Sequence, residues 1–182
     1  MKKTLVSLLT LVLVLSFSAC GSKETPQTAP VPETTSAPED TAATETPEQA
    51  IHNYLDAMVF SRQGLIEQLV FDGWTEHEVT EAVDHAAIDW KAQALASAEL
   101  SAEITCLSQS GMAETLVNEG FTNEEADYAA ENCSADWMTS AAFSAENHLS
   151  YEQLNREEMI EVLKSEGFTP EQAVYGADQN GL

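Results

Sequence analysis

Along the second half of the chain, apolar residues return at spacings of three and four, the pattern of helices with one buried face. In the middle of the sequence the stripe Trp90, Ala94, Leu95, Ala98, Ala102 and Cys106 predicts a helix from Asp89 to Leu107. A shorter helix follows, and it is written three times. Its inward residues are Leu65, Leu69 and Val70, then Met112, Leu116 and Val117, then Met159 and Leu163. Ser61, Ser108 and Asn155 stand before these stripes as N-caps, because their side-chain oxygens can accept from backbone N–H groups left over in a first helical turn. Third helices are predicted over Glu76 to Ile88, Asn123 to Ala135 and Pro170 to Leu182, lined by the small residues Ala82, Ala86, Ala129, Ala130, Gly176 and Ala177.

The stop between the second and third helices also repeats. The string "EGFTNEEADYA" comes back as "EGFTPEQAVYG" and, more loosely, as "FDGWTEHEVTEA". Gly64 and Gly111, Trp90 and Trp137, Met112 and Met159, and Gly120 and Gly167 are each separated by 47 residues, a period that belongs to stacked helical repeats. Gly73, Gly120 and Gly167 supply the left-handed residue that ends a helix. Thr75, Thr122 and Thr169 then cap the next one, with Glu78, Glu125 and Gln172 completing capping boxes. Trp74, Phe121 and Phe168 are placed to staple onto Val79, Ala126 and Ala173. Asp89-Trp90 and Asp136-Trp137 cap and anchor the first helix of the following copy, and Leu182 falls just short of a third such pair. "TPEQ" at Thr46 to Gln49 opens the first copy with a capping box and a proline at the first helical position. The predicted fold class is all-α: three tandem three-helix repeats, each with a helix-turn-helix corner, after a signal peptide and a disordered linker.

The beginning of the chain has a different texture. "MKKTLVSLLTLVLVLSFSAC" has two lysines, an apolar run too short for a permanent bilayer span of about 20 residues, and small residues ending in Cys20, which reads as an export signal over 1–19. "FSAC" resembles a bacterial lipobox, in which the cysteine is acylated after cleavage; Phe17 replaces the usual leucine. Residues 20–47 hold five of the six prolines among Thr, Ala and Glu, so they read as a disordered stalk able to reach on the order of 80 Å. The repeats then occupy 48–90, 91–137 and 138–182.

Charge narrows the functional classes. Without Lys2 and Lys3 the exported chain keeps 5 basic residues against 31 acidic ones. Such a surface repels nucleic acid and anionic lipid and attracts basic partners. It also keeps an exported domain soluble. The third helices contain no Lys or Arg, which excludes the phosphate neutralisation that a DNA-reading helix-turn-helix needs. His77, Glu81, Asp84 and His85 share neighbouring faces of one helix, yet the next copy has Glu124, Tyr128, Glu131 and Asn132 there, so a solvated face is the better account than a metal site. No nucleophile–base or phosphate-binding arrangement stands out, and neither an enzyme nor a cofactor is expected. Cys106 and Cys133 correspond to Val59 and Ala86, and two outcomes stay open: one bridge within the second repeat, or two buried free thiols.

With "SRQGLIEQL", "EGFTNEEADYAAENCSADW" and "EGFTPEQAVYGADQ" in view, the chain resembles the host cell surface-exposed lipoproteins of the Ltp type from about Glu48 to Leu182, and in its lipobox and stalk as well. That resemblance implies acylation at Cys20, an anchor on the outer face of the cell membrane, and no catalytic residues. Prophage-encoded members of that family act in superinfection exclusion by engaging an incoming phage's injection machinery, including its tape measure protein. The expected partner is therefore a basic or amphipathic protein segment, with the exposed acids Glu76, Asp84, Glu124, Asp127 and Glu131 as contributors. A cell-envelope adaptor or structural lipoprotein without a phage role is the alternative.

Overall fold

The computed structural model describes residues 45–182, and among them nine α-helices and no strand. The expected signal over 1–19, Cys20 and the linker up to residue 44 lie outside the described residues. The helices form three units in chain order. The first unit is α1 (Pro47–Ala57), α2 (Arg62–Phe71) and α3 (Glu76–His85); the second is α4 (Trp90–Ile104), α5 (Gln109–Asn118) and α6 (Asn123–Asn132); the third is α7 (Trp137–Leu149), α8 (Arg156–Ser165) and α9 (Pro170–Gln179).

Each corner is built by the same local chemistry. Gly73, Gly120 and Gly167 have φ of +113°, +93° and +89°, which closes the preceding helix in the left-handed conformation that side chains with a Cβ avoid. The N–H of the following aromatic then reaches back: Trp74 donates to the Leu69 carbonyl, Phe121 to Leu116 and Phe168 to Leu163. Thr75, Thr122 and Thr169 each form the expected reciprocal capping box. Phe121 and Phe168 are buried in their repeats' cores with Ala126 and Ala173, whereas Trp74 is only half-buried.

Packing follows from residue size. Leu65 and Leu69, Met112 and Leu116, and Met159 and Leu163 are completely buried, and alanines on the flanking helices let the three helices close around them. A Cβ on Gly176 would stand 2.6 Å from the Ala141 carbonyl oxygen, so that position must be glycine for α9 to lie against α7. The result is three separate small cores, one per repeat, and every helix pair that packs extensively lies within one repeat. Units of this size bury too little surface to be robust alone and depend on their neighbours.

Three details differ from the periodicity. Val70 and Val117 are exposed, at 40% and 39%, because they lie five residues after Leu65 and Met112, about 140° around the helix from the buried line. The third helices stop three residues early, so Ala86 caps α3 from an exposed position instead of lining it. The middle first helix ends at Ile104, and Cys106 falls in the connection to α5. Cys106 and Cys133 are both half-buried free thiols, so the bridge is not formed. The Cys106 sulfur accepts a long contact from the Asn147 amide at 3.8 Å and that of Cys133 lies 3.8 Å from the Ala130 carbonyl.

Two devices join the units. Trp90 and Trp137 begin the first helix of one repeat and pack against the core of the repeat before it. The N-cap serines do the second job. Ser61 accepts from the Gly64 N–H at 3.0 Å and donates its hydroxyl to the Glu119 carbonyl of the next corner at 2.7 Å. Ser108 repeats this with Gly111 at 3.0 Å and the Glu166 carbonyl at 2.6 Å. Both serines are buried.

The corners make a graded prediction. Gly73→Ala should cost about 1–2 kcal/mol for the left-handed backbone alone. Gly120→Ala should cost more, since its Cβ would also stand 2.8 Å from the Ser61 hydroxyl oxygen. Urea unfolding followed by far-UV circular dichroism checks the order. A second prediction concerns Asp136, which caps α7 and whose carboxyl is held below its usual range first by the Thr139 hydroxyl and then by the Thr139 and Met138 N–H groups. A lowered carboxyl stabilises the fold above its unfolded pKa, about 3.9, and ceases to do so as pH falls through the folded value. Asp136→Asn should therefore lower the melting temperature at pH 7, with the difference from the parent closing as the pH falls below the carboxyl's ordinary range.

Candidate functional site: an acidic groove at the middle repeat

The five acids expected to meet a partner all lie on third helices, and all five are exposed. Their electrostatic situations differ. Asp84 receives two hydrogen bonds from the Arg62 guanidinium, at 2.6 and 3.1 Å. Glu124 receives one from Lys91 at 2.7 Å, which holds its carboxyl below the ordinary range and raises the lysine. The Lys91 ammonium also sits 5.4 Å from the centre of the Tyr128 ring. Glu76 opens α3, where a negative charge suits the helix N-terminus. These three are locally compensated.

Asp127 and Glu131 are not. Neither carboxylate has a hydrogen-bond or ion-pair partner among the described residues. They stand one helical turn apart on α6 and line a groove of about 310 Å3 between the second repeat and the corner of the third. Gln109 and Ser110 from α5 and Gly167, Thr169 and Gln172 from the third corner complete its walls. A shallower depression carrying Glu114, Val117 and Asn118 continues from it, with Ala113 and Asp127 shared between the two.

The repeat explains why Glu131 is free. In the third unit Arg156 donates to Asp178 at 2.7 and 3.1 Å, the same tie as Arg62 to Asp84 in the first. The equivalent middle positions are Gln109 and Glu131. The arginine has become glutamine while the acid stays. Glu131 also lies in the last turn of α6, where the helix dipole disfavours negative charge, so a cation brought from outside would favour it. This substitution was visible in the sequence as one position out of register, but its meaning required knowing that the second and third helices face each other there.

On the α3 face bearing His77, Glu81, Asp84 and His85, the His77 ring nitrogen lies 3.9 Å from Glu81 and Asp84 is taken by Arg62. Among the described residues no group of His, Cys, Asp and Glu has the arrangement to hold a metal ion, and no helix is long and apolar enough to cross a membrane.

No curated protein and no solved structure matches the chain. A family model does, three times over, at residues 48–86, 89–133 and 136–179, one match to each three-helix unit. With three consecutive copies of its repeat covering most of the sequence, the chain belongs to the host cell surface-exposed lipoprotein family, Lipoprotein_Ltp.

Proposed function

We propose that this surface-exposed lipoprotein is anchored on the outer face of the cell membrane through acylated Cys20 and acts in superinfection exclusion. It binds a basic or amphipathic segment of a phage injection protein, such as a tape measure protein, and occupancy alone stops genome delivery. Binding, not catalysis, is the whole mechanism. The observation that carries this reading is the pair of uncompensated carboxylates, Asp127 and Glu131, in a groove on a chain with formal net charge −24. A segment presenting Lys or Arg would restore there the pairing that Arg62 and Arg156 provide in the outer repeats. Opposite charge would also speed encounter, at a rate that falls with salt.

Expression in a sensitive host should leave phage adsorption unchanged and reduce DNA injection. Gln109→Arg should weaken that protection at least tenfold by occupying Glu131 from within. Arg62→Gln, which frees an acid on a different repeat, should leave it unchanged. Stability should shift by less than about 1 kcal/mol in either variant, since exposed ion pairs contribute little to folding. Normal injection across a broad phage panel would instead favour an envelope adaptor role.

A further inference from the structure

The repeats dock through one face, formed by the outer side of the first helix and the corner, onto the start of the second helix in the repeat before. In the third repeat that face includes Ser144, His148, Glu166 and Phe168, and the opposite wall of the cleft is Leu107, Ser108 and Gly111. The equivalent positions in the first repeat are Ala50, Tyr54, Asp72 and Trp74, and with Met58 they line a groove of about 530 Å3. Among the described residues nothing lies across the corner here. A Cβ on Gly73 would meet no atom within 4 Å, where the same atom on Gly120 or Gly167 would stand 2.8 Å from a serine hydroxyl oxygen. Met58 is 54% exposed, and the Tyr54 hydroxyl is fixed on the Asp72 side chain at 2.6 Å. The Asp72 backbone carbonyl occupies the place at which Glu119 and Glu166 accept serine hydroxyls.

The chain's own junctions define what such a face accepts. Both covered faces meet a helix start of one pattern, an apolar residue followed by Ser-x-x-Gly: Phe60-Ser61 to Gly64, and Leu107-Ser108 to Gly111. The serine bridges to the corner carbonyl. The glycine leaves the bridging serine uncrowded, since a Cβ at Gly64 or Gly111 would lie 3.1 or 3.2 Å from the serine oxygen, while meeting that carbonyl only in ordinary contact at 4.0 or 3.8 Å. A second copy of this chain cannot offer that pattern. Its remaining helix start reads Leu154-Asn155 to Glu158, and it is closed by its own side chains. Asn155 accepts from the Glu157 and Glu158 N–H groups at 3.0 and 3.1 Å, and Glu158 accepts from the Asn155 N–H at 2.9 Å.

We propose that the first repeat's corner is a docking surface for another protein's helix start of the apolar-Ser-x-x-Gly type, a repeat built like these, and that Asn155 and Glu158 make the third repeat a terminator that prevents head-to-tail association of identical chains. The inference is independent of any phage role, because it concerns the opposite end of the stack from the acidic groove's charge pairing.

The test uses the exported chain with Cys20→Ser, labelled with 15N. The probe is the same chain, unlabelled, carrying Asn155→Ser, Glu157→Ser and Glu158→Gly, which creates an apolar-Ser-x-x-Gly helix start. Saturable shifts of Met58, Gly73 and the Trp74 indole on adding the probe, and none on adding unlabelled parent, are expected. No shifts, equal shifts with the parent, or shifts confined to Asp127 and Glu131 would overturn the proposal. Should the probe lose helix content by circular dichroism, a peptide of residues 105–119 replaces it, with the Ser108→Asn, Gly111→Glu peptide binding at least tenfold more weakly; equal binding by the two peptides overturns the idea.

Discussion

The structure depends on a hydroxyl shared between two repeats. At Ser61 and Ser108 the same oxygen satisfies an N–H at the start of its own second helix and donates to a carbonyl left over at the end of the next repeat's second helix. Two kinds of orphan backbone group, a helix-start donor and a helix-end acceptor, are thereby satisfied by a single buried side chain. The hydroxyl is small enough to sit where two backbones nearly touch, and the glycines on either side, Gly64 or Gly111 and Gly120 or Gly167, leave the room. Losing the serine would leave a buried carbonyl without its donor, a larger penalty than the net value of an ordinary hydrogen bond.

That junction sets the character of the whole stack. The apolar cores are closed within repeats, so what passes between them is narrow: a serine bridge, a tryptophan packed backwards onto the preceding core, and side-chain bonds such as Gln93 to the Phe60 N–H at 3.2 Å. Stability in such an array is close to a sum of unit terms and nearest-neighbour terms. Among the described residues the first and third repeats have one neighbouring repeat each, and so fewer of the latter. The first repeat carries the looser corner, with a half-buried Trp74 in place of a buried phenylalanine, while the third ties its last helix inward through Asn180, whose amide donates to the Ala142 and Gly176 carbonyls at 2.9 Å each.

Charge is handled in the same modular way. Among the described residues every Lys and Arg is assigned: Arg62 and Arg156 fasten second helices to third helices, Lys91 fastens the first helix of the middle repeat to its third, and Lys164 pairs with Glu161. The middle repeat gives up its arginine and keeps its acid. This leaves two carboxylates without a cation in the groove between the second and third units, where one supplied from outside can pair with them.

The architecture was legible from local rules. Capping threonines, left-handed glycines, the leucine and methionine lines and the 47-residue period all act over a few residues, so the linear order of the chain contains them, and the structure has them where the pattern put them. The same local character explains the differences: Val70 and Val117 continue the apolar lines in sequence yet face solvent, and Ala86 follows a helix that ends at His85. What no local rule could reveal was which ends of different helices meet. Ser61, Ser108 and Asn155 all serve as caps, and only the contact across 58 residues shows that the two serines also join repeats. Likewise Gln109 and Glu131 became a site only when α5 and α6 were brought side by side against the third corner. The sequence by itself determined the helices, the corners between the second and third of each repeat, and their number. The tertiary structure decided which polar groups are consumed in holding the stack together and which are left for a partner, because that depends on distances between segments that the chain order does not contain.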